Sequence, residues 1–249
     1  MLHTTEAFVL RTYSLAEADK ICIFLTRNLG KVRGVAHGAR KMKSRFGSSL
    51  EPFTEVSLTY FHKEGRDLVS VSNCEIIHSN FDSASRNVET AFVFSYLSEL
   101  LTEFLPDHES NENLYRLVSA TMEAIAGGGD MGRLLCYFES WLLRLVGFFP
   151  DTSRCSACSA VIVEDAVTYL TAEGSPRCAA CSNSRGTVVD SELRTAMRYL
   201  FRSHPREFAG TEMNSKLISR MSEITYHIIR RVLEKDLRSR EILRQFVSG

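Results

Sequence analysis

Apolar positions recur along this chain with two different periods, and the change falls near residue 80. Before it, short apolar and β-branched runs cover Glu6–Tyr13, Lys20–Thr26, Lys31–Ala39, Phe53–Phe61 and Leu68–Ile77. Strict alternation is visible in Ile21-Cys22-Ile23-Phe24-Leu25 and in Val56-Ser57-Leu58-Thr59-Tyr60. Turn-prone segments separate the runs: Asn28-Leu29-Gly30, Phe46-Gly47-Ser48-Ser49 and Lys63-Glu64-Gly65-Arg66-Asp67. A period of two bounded by glycine-rich turns predicts strands. Five strands in so short a stretch suit a small closed barrel, which leaves no open sheet edge. Oligonucleotide-binding (OB) and SH3-like barrels both fit that strand count.

After residue 80 the period becomes helical. One stripe is Val93, Leu97, Leu100, Leu101 and Phe104, ending near Pro106. A second runs from Leu114 through Leu117, Val118 and Thr121 to Ile125 and stops at Gly127-Gly128-Gly129. A third comprises Leu134, Leu135, Phe138, Trp141, Leu142 and Leu145, with Trp141 as a core anchor. Spacings of three and four place each set on one helix face. Helices resume over Asp190–Phe201, with Asp190 or Ser191 as cap, and over a long stretch near Asn214–Leu237.

Between these helices, from about 151 to 186, lies a segment of another kind. Cys155 and Cys158 form a C-x₂-C, nineteen residues follow, and Cys178 and Cys181 form a second. Two such pairs supply four thiolates to one tetrahedral ion, the arrangement of structural Zn²⁺. Ala160–Leu170, between the pairs, reads as a short strand or hairpin arm. Few basic residues flank the cysteines, so a folding staple suits them better than a DNA-reading finger. A redox C-x-x-C needs only one pair. Cys22, Cys74 and Cys136 stand singly in apolar surroundings and read as buried hydrophobes.

Net charge is zero but unevenly spread. Residues 1–80 carry 11 basic and 8 acidic side chains, residues 81–189 carry 7 and 14, and residues 190–249 carry 12 and 8. The sharpest concentration is Arg27, Lys31, Arg33, Arg40, Lys41, Lys43 and Arg45, seven cations without an intervening acid, with His37 among them. Such a stripe offers phosphates positive charge at about their own spacing. Gly34 and Gly38 would let a backbone approach closely. A second basic run, Arg230, Arg231, Lys235, Arg238, Arg240 and Arg244, fits a solvated helix face or a second anionic contact. No phosphate-cradling glycine loop and no nucleophile paired with a base is evident, so an enzyme is not expected. The start of the chain lacks a secretion signal, and no apolar run approaches the roughly 18 residues that cross a membrane. A cytoplasmic location is expected.

The module order and several stretches resemble the bacterial RecO family of DNA repair proteins. The stretches are Gly30-Lys31-Val32-Arg33-Gly34-Val35-Ala36-His37-Gly38-Ala39-Arg40-Lys41; Leu50-Glu51-Pro52-Phe53; Tyr96–Glu99 and then Leu105-Pro106; Phe138-Glu139, Leu142-Leu143 and Gly147-Phe148-Phe149-Pro150-Asp151 leading into Cys155-Ser156-Ala157-Cys158; and Asp236-Leu237-Arg238-Ser239. The resemblance implies an α+β protein with an N-terminal five-stranded OB-type barrel at 1–80. A helical domain at 81–249 would then carry the inserted zinc site, one structural Zn²⁺ on Cys155, Cys158, Cys178 and Cys181. It implies a recombination mediator that binds single- and double-stranded DNA and anneals complementary strands. It implies work with RecR, engagement of the acidic tail of single-stranded DNA-binding protein (SSB), and help in loading RecA at gaps near the nucleoid, with no small-molecule substrate. Lys31, Arg33, Arg40, Lys41, Lys43 and Arg45 match the family's basic region. The alternatives are a zinc-ribbon transcription or translation factor and a metal-dependent nuclease.

Overall fold

The computed structural model describes residues 1–63, 65–80 and 87–247. Glu64 of the turn predicted after the fourth strand and the side chain of Arg244 lie outside the described residues. The protein is mixed α+β, with five strands at the N-terminus and helices after them. Packing groups the chain into two compact units. One is Met1–Met122 together with the segment from Leu237 onward; the other is Glu123–Asp236.

All five expected strands form: β1 (Leu2–Leu15), β2 (Asp19–Thr26), β3 (Gly30–Ala36), β4 (Glu55–Phe61) and β5 (Val69–His78). β1 outruns its expected length at both ends, because Leu2–Phe8 pairs antiparallel with β4. Hydrogen-bonded neighbours run β1-β2-β3-β5-β4 and return to β1, closing a barrel. Every pairing is antiparallel except the short β3–β5 seam, which matches Gly34 to Val69 and Val35 to Ser70 in parallel. The period-two pattern turns Val9, Cys22, Phe24, Val32, Val56, Leu58 and Val71 into one core.

The outward side of β1 and β2 is buried as well, as Phe8, Ile23 and Leu25 show. Helices α1 (Val88–Phe104) and α2 (Glu112–Ala126) contribute here. Phe8 packs on Tyr115 at 4.9 Å between ring centroids, and Ser98 Oγ donates to the Leu10 carbonyl at 2.7 Å. Phe53 holds a left-handed φ of 56°, unusual for a bulky side chain. Its surroundings over-determine it. Its N–H donates to the Val9 carbonyl at 2.7 Å, its carbonyl accepts from Asn80 Nδ2 at 2.9 Å, and its ring packs on Phe94.

The second unit contains α3 (Met131–Leu145), α4 (Ala179–Ser182), α5 (Ser191–Leu200), α6 (Pro205–Ala209) and α7 (Ser215–Leu233). Asp130, Asp190 and Asn214 cap α3, α5 and α7 by accepting a backbone N–H, as Asn87 does for α1. Glu139 on α3 is fully buried and accepts from Thr225 Oγ1 of α7 at 2.6 Å. Trp141 meets Phe201 edge-to-face at 5.3 Å, consistent with a core anchor.

Two expectations need correction. The long helix near Asn214–Leu237 ends at Leu233, because Glu234 turns left-handed (φ 53°) and stops the ladder. The chain then starts a separate helix, α8 (Arg238–Val247), which packs on α1 in the first unit. Ser239 bonds Glu99 there, and Arg240 lies 5.1 Å over the Tyr96 ring. In the cysteine segment, the strand expected over Ala160–Leu170 is confined to β6 (Thr168–Leu170), plus an isolated bridge between Arg154 and Val161.

Gly30 sits where β3 begins, at a left-handed φ of 67°, and a Cβ there would fall 1.9 Å from the Glu109 carbonyl oxygen. Gly30→Ala is expected to lower stability by at least about 2 kcal/mol, from left-handed strain and this overlap. Urea unfolding would read this as a lower midpoint with an unchanged m-value; an unmoved midpoint would contradict the backbone contact.

Candidate nucleic-acid interface and four-cysteine centre

The seven cations of the Arg27–Arg45 run divide into two groups. Arg27 donates to Glu6 at 2.7 Å and to Glu112 at 3.2 Å, and these bonds raise its pKa. Lys31 donates to the Thr102 carbonyl at 2.8 Å and sits 3.4 Å from Asp107, with its side chain only 12% exposed. Arg33 pairs with the same Asp107 at 2.6 Å. Backbone contacts reinforce the junction, since His108 N–H donates to the Lys31 carbonyl at 3.0 Å. These three cations fasten the barrel to the segment between α1 and α2. Each would have to give up a partner to meet a phosphate.

Arg40, Lys41, Lys43 and Arg45 differ. They occupy the loop after β3, all are exposed, and none forms an ion pair among the described residues. The loop is held in place beneath them. Asp19 accepts from Gly38 N–H at 2.8 Å and contacts His37 Nδ1 at 2.7 Å. The Gly38 bond is the larger cause of the lowered Asp19 pKa, with His37 second. Arg40 spans to the β1–β2 turn, donating N–H to the Ala18 carbonyl at 2.9 Å and Nη1 to the Ala16 carbonyl at 2.8 Å. Phe46 anchors the far end in the barrel core, with the Arg45 guanidinium 4.9 Å above its ring. The two glycines of this region have structural roles. Gly34 faces the interior, where a Cβ would lie 2.8 Å from methyls of Val69 and Val71, and Gly38 takes a left-handed turn (φ 74°).

The four cysteines come together in the second unit. Their sulfurs all lie within 4.8 Å of one another, and Cys158 and Cys178 Sγ are 4.0 Å apart. Tetrahedral zinc with bonds of about 2.3 Å needs sulfurs roughly 3.8 Å apart, so the donor set fits that ion. Backbone N–H groups of Cys178, Cys158 and Ala157 point at Cys155 Sγ and pull its thiol down, favouring thiolate. Cys181 is pushed up by Cys158, Cys178 and Cys155 around it, a crowding of sulfurs that a cation would relieve. The pairs are displayed by a small sheet of order β7-β6-β8, with β7 (Pro176–Arg177) and β8 (Thr187–Val189) beside β6. Arg194 of α5 clips the segment by donating to the carbonyls of Val163 and Ala166, both at 2.9 Å. Cys22, Cys74 and Cys136 are buried, and burial pushes the Cys22 and Cys74 thiols up to about 12.

Comparison with known proteins bears on the whole length. A family model described as Recombination protein O N terminal matches residues 1–80, and one described as Recombination protein O C terminal matches residues 86–241. The DNA repair protein RecO of Koribacter versatilis (strain Ellin345) is 32% identical over 240 residues, which cover 95% of this chain and 96% of that protein. This chain belongs to the RecO family. The DNA repair protein RecO of Desulforamulus reducens is 30% identical over 245 residues, covering 97% of this chain and 94% of its own.

In this RecO-family DNA repair protein, a groove of about 570 Å³ in the second unit was not evident from the sequence. Phe149, Met197 and Phe201 supply apolar lining, and Arg144, Arg198 and Arg202 supply charge. Arg144 stacks 4.4 Å over Phe201, and Arg198 pairs with Glu164 at 2.7 Å. These cations are scattered in sequence across α3 and α5, so no local run marks them. The C-terminal basic run is not one patch either. Arg230 and Arg231 end α7 in the second unit, whereas Arg238 and Arg240 open α8 in the first. Arg230 is committed to Asp236 at 2.5 Å. No helix among the described residues is long and apolar enough to cross a membrane.

Serine at Cys178 and Cys181 is expected to abolish binding of one Zn²⁺ per chain, read by metal analysis after dialysis. It should also lower the melting temperature of the folded protein, since metal binding contributes folding energy. Retention of one zinc would show that these cysteines are not its ligands.

Proposed function

We propose that this RecO-family protein is a recombination mediator whose DNA contact is the loop carrying Arg40, Lys41, Lys43 and Arg45. The observation that carries this reading is the division of the basic run: three cations are engaged by carboxylates and the backbone, while four stand exposed on a pinned loop. The strand order β1-β2-β3-β5-β4, with β3 and β5 parallel, supports an OB-type assignment for residues 1–80 over an SH3-like one. OB barrels bind oligonucleotides through one strand face and neighbouring loops. Here Lys31 and Arg33 on β3 are partly covered by the chain's own acidic segment, so the loop takes the larger share of the contact. Contacts to phosphate alone carry no sequence information, and sequence preference is slight.

Strand annealing follows from charge. A protein that neutralises phosphates lowers the repulsion between complementary strands. The arginine-lined groove of the second unit suits the acidic tail of SSB, with carboxylates at Arg144, Arg198 and Arg202 and an apolar side chain against Phe149 and Phe201. Both single- and double-stranded DNA are ligands, RecR is the working partner, and RecA loading at SSB-coated gaps is the outcome. Nucleotide hydrolysis has no part in this reading. One Zn²⁺ on the four cysteines staples the segment around 151–186, and the protein acts in the cytoplasm at the nucleoid.

Four neutralised phosphates on a single strand predict a slope of roughly −3 for log K against log[salt]. Reversing Arg40, Lys41 and Lys43 to glutamate should weaken DNA binding at least tenfold and leave the melting temperature nearly unchanged. A slope near zero, or unaltered affinity in the variant, would remove the loop from the interface. Annealing of SSB-coated complementary oligonucleotides should accelerate with the native protein and fail to do so with Arg198→Glu if the groove receives the tail. Equal acceleration by both would place the tail elsewhere.

A further inference from the structure

The barrel has one weak seam, and it lies beside the basic loop. β3 and β5 meet at only two registered pairs, Gly34 with Val69 and Val35 with Ser70. Across this seam runs a groove of about 430 Å³, lined by Val35 and His37 from β3 and its end, and by Arg66, Asp67, Leu68 and Ser70 from the approach to β5. Its size falls within the range of small-ligand sites.

The lining is ordered by chemistry. Val35 and Leu68 make it apolar, and Leu68 stays 37% exposed at its mouth. Arg66 brings a cation that forms no ion pair among the described residues. His37 is oriented because its Nδ1 contacts Asp19 at 2.7 Å, and its Nε2 has no partner among the described residues. Asp67 adds an acceptor that repels phosphate but suits an exocyclic amino group. The groove is continuous with the proposed DNA loop. The Lys41 stem folds back to within 3.7 Å of where a Gly38 Cβ would stand, one residue from His37.

We propose that this seam is a nucleotide subsite that takes one unpaired nucleotide of a single strand. Its base lies against Val35 and Leu68, and its phosphate faces Arg66. The inference rests on the reading of the Arg40–Arg45 loop as the DNA contact, and adds a preference that charge alone does not give. A duplex keeps its bases stacked and paired, and extruding one is costly. A single strand presents a free base, and an apolar surface for one base adds affinity without demanding a sequence.

The test uses the full-length protein, a fluorescently labelled 12-nucleotide oligo-dT and a blunt duplex of the same length. Leu68→Glu puts a like charge at the groove mouth on an exposed position, and Ser70→Trp fills the groove from the β5 side. Both are expected to lose at least about fivefold in affinity for the single strand and to keep duplex affinity within about twofold. A 2-aminopurine placed centrally in a single strand should change its fluorescence on binding the native protein and not on binding Leu68→Glu. Unchanged single-strand affinity in both variants, or equal losses on both substrates, would overturn the subsite. The loop reading fails separately, through normal DNA binding by the triple glutamate variant.

Discussion

Closing five strands into so small a barrel is the constraint from which the remaining features follow. The sheet closes only if β3 and β5 approach across a parallel seam, and Gly34 makes that possible because Val69 and Val71 occupy the space a side chain would need. With β5 beside β3, β4 must lie beside β1. The chain leaving β3 therefore crosses the end of the barrel before β4 starts. That crossing is secured inside by Phe46, Leu50 and Phe53, and outside by Asp19 and the β1–β2 turn. The exposed cations at 40–45 ride on this crossing. Their position follows from closure and from the apolar anchors around them.

Electrostatics then separates structure from function. Asp107 receives both Lys31 and Arg33, and Glu6 and Glu112 receive Arg27. Exposed ion pairs are worth about 1 kcal/mol or less each. Their effect is less to hold the fold than to occupy charge that would otherwise attract phosphate. Net charge near zero for the whole chain hides this division. The zinc segment makes the same point differently. Its sulfurs converge as a tetrahedral site requires, but the carboxylates and the Arg194 clip around it speak for a staple.

The five strands were legible because each keeps a period of two between glycine-rich turns. α1, α3, α5 and α7 were legible because apolar stripes meet Asn or Asp caps at residues 87, 130, 190 and 214. The break at Glu234 was not, since a non-glycine residue adopts the left-handed turn and apolar residues continue past it. The strand between the cysteine pairs shrank to Thr168–Leu170 because its apolar composition continues into loop held by Arg194 and the metal ligands.

By itself the sequence determined the strand and helix content, the four-cysteine donor set and the family, because these depend on spacing between near neighbours. Only the tertiary structure decided which of the seven cations stay open, since their carboxylate partners stand up to 85 positions away. It also decided that the last helix returns to the first unit, that three arginines from two helices share a groove, and that Val35 and Leu68 face one another across a seam. Each of these depends on contacts between residues distant in sequence, which no local period or motif encodes.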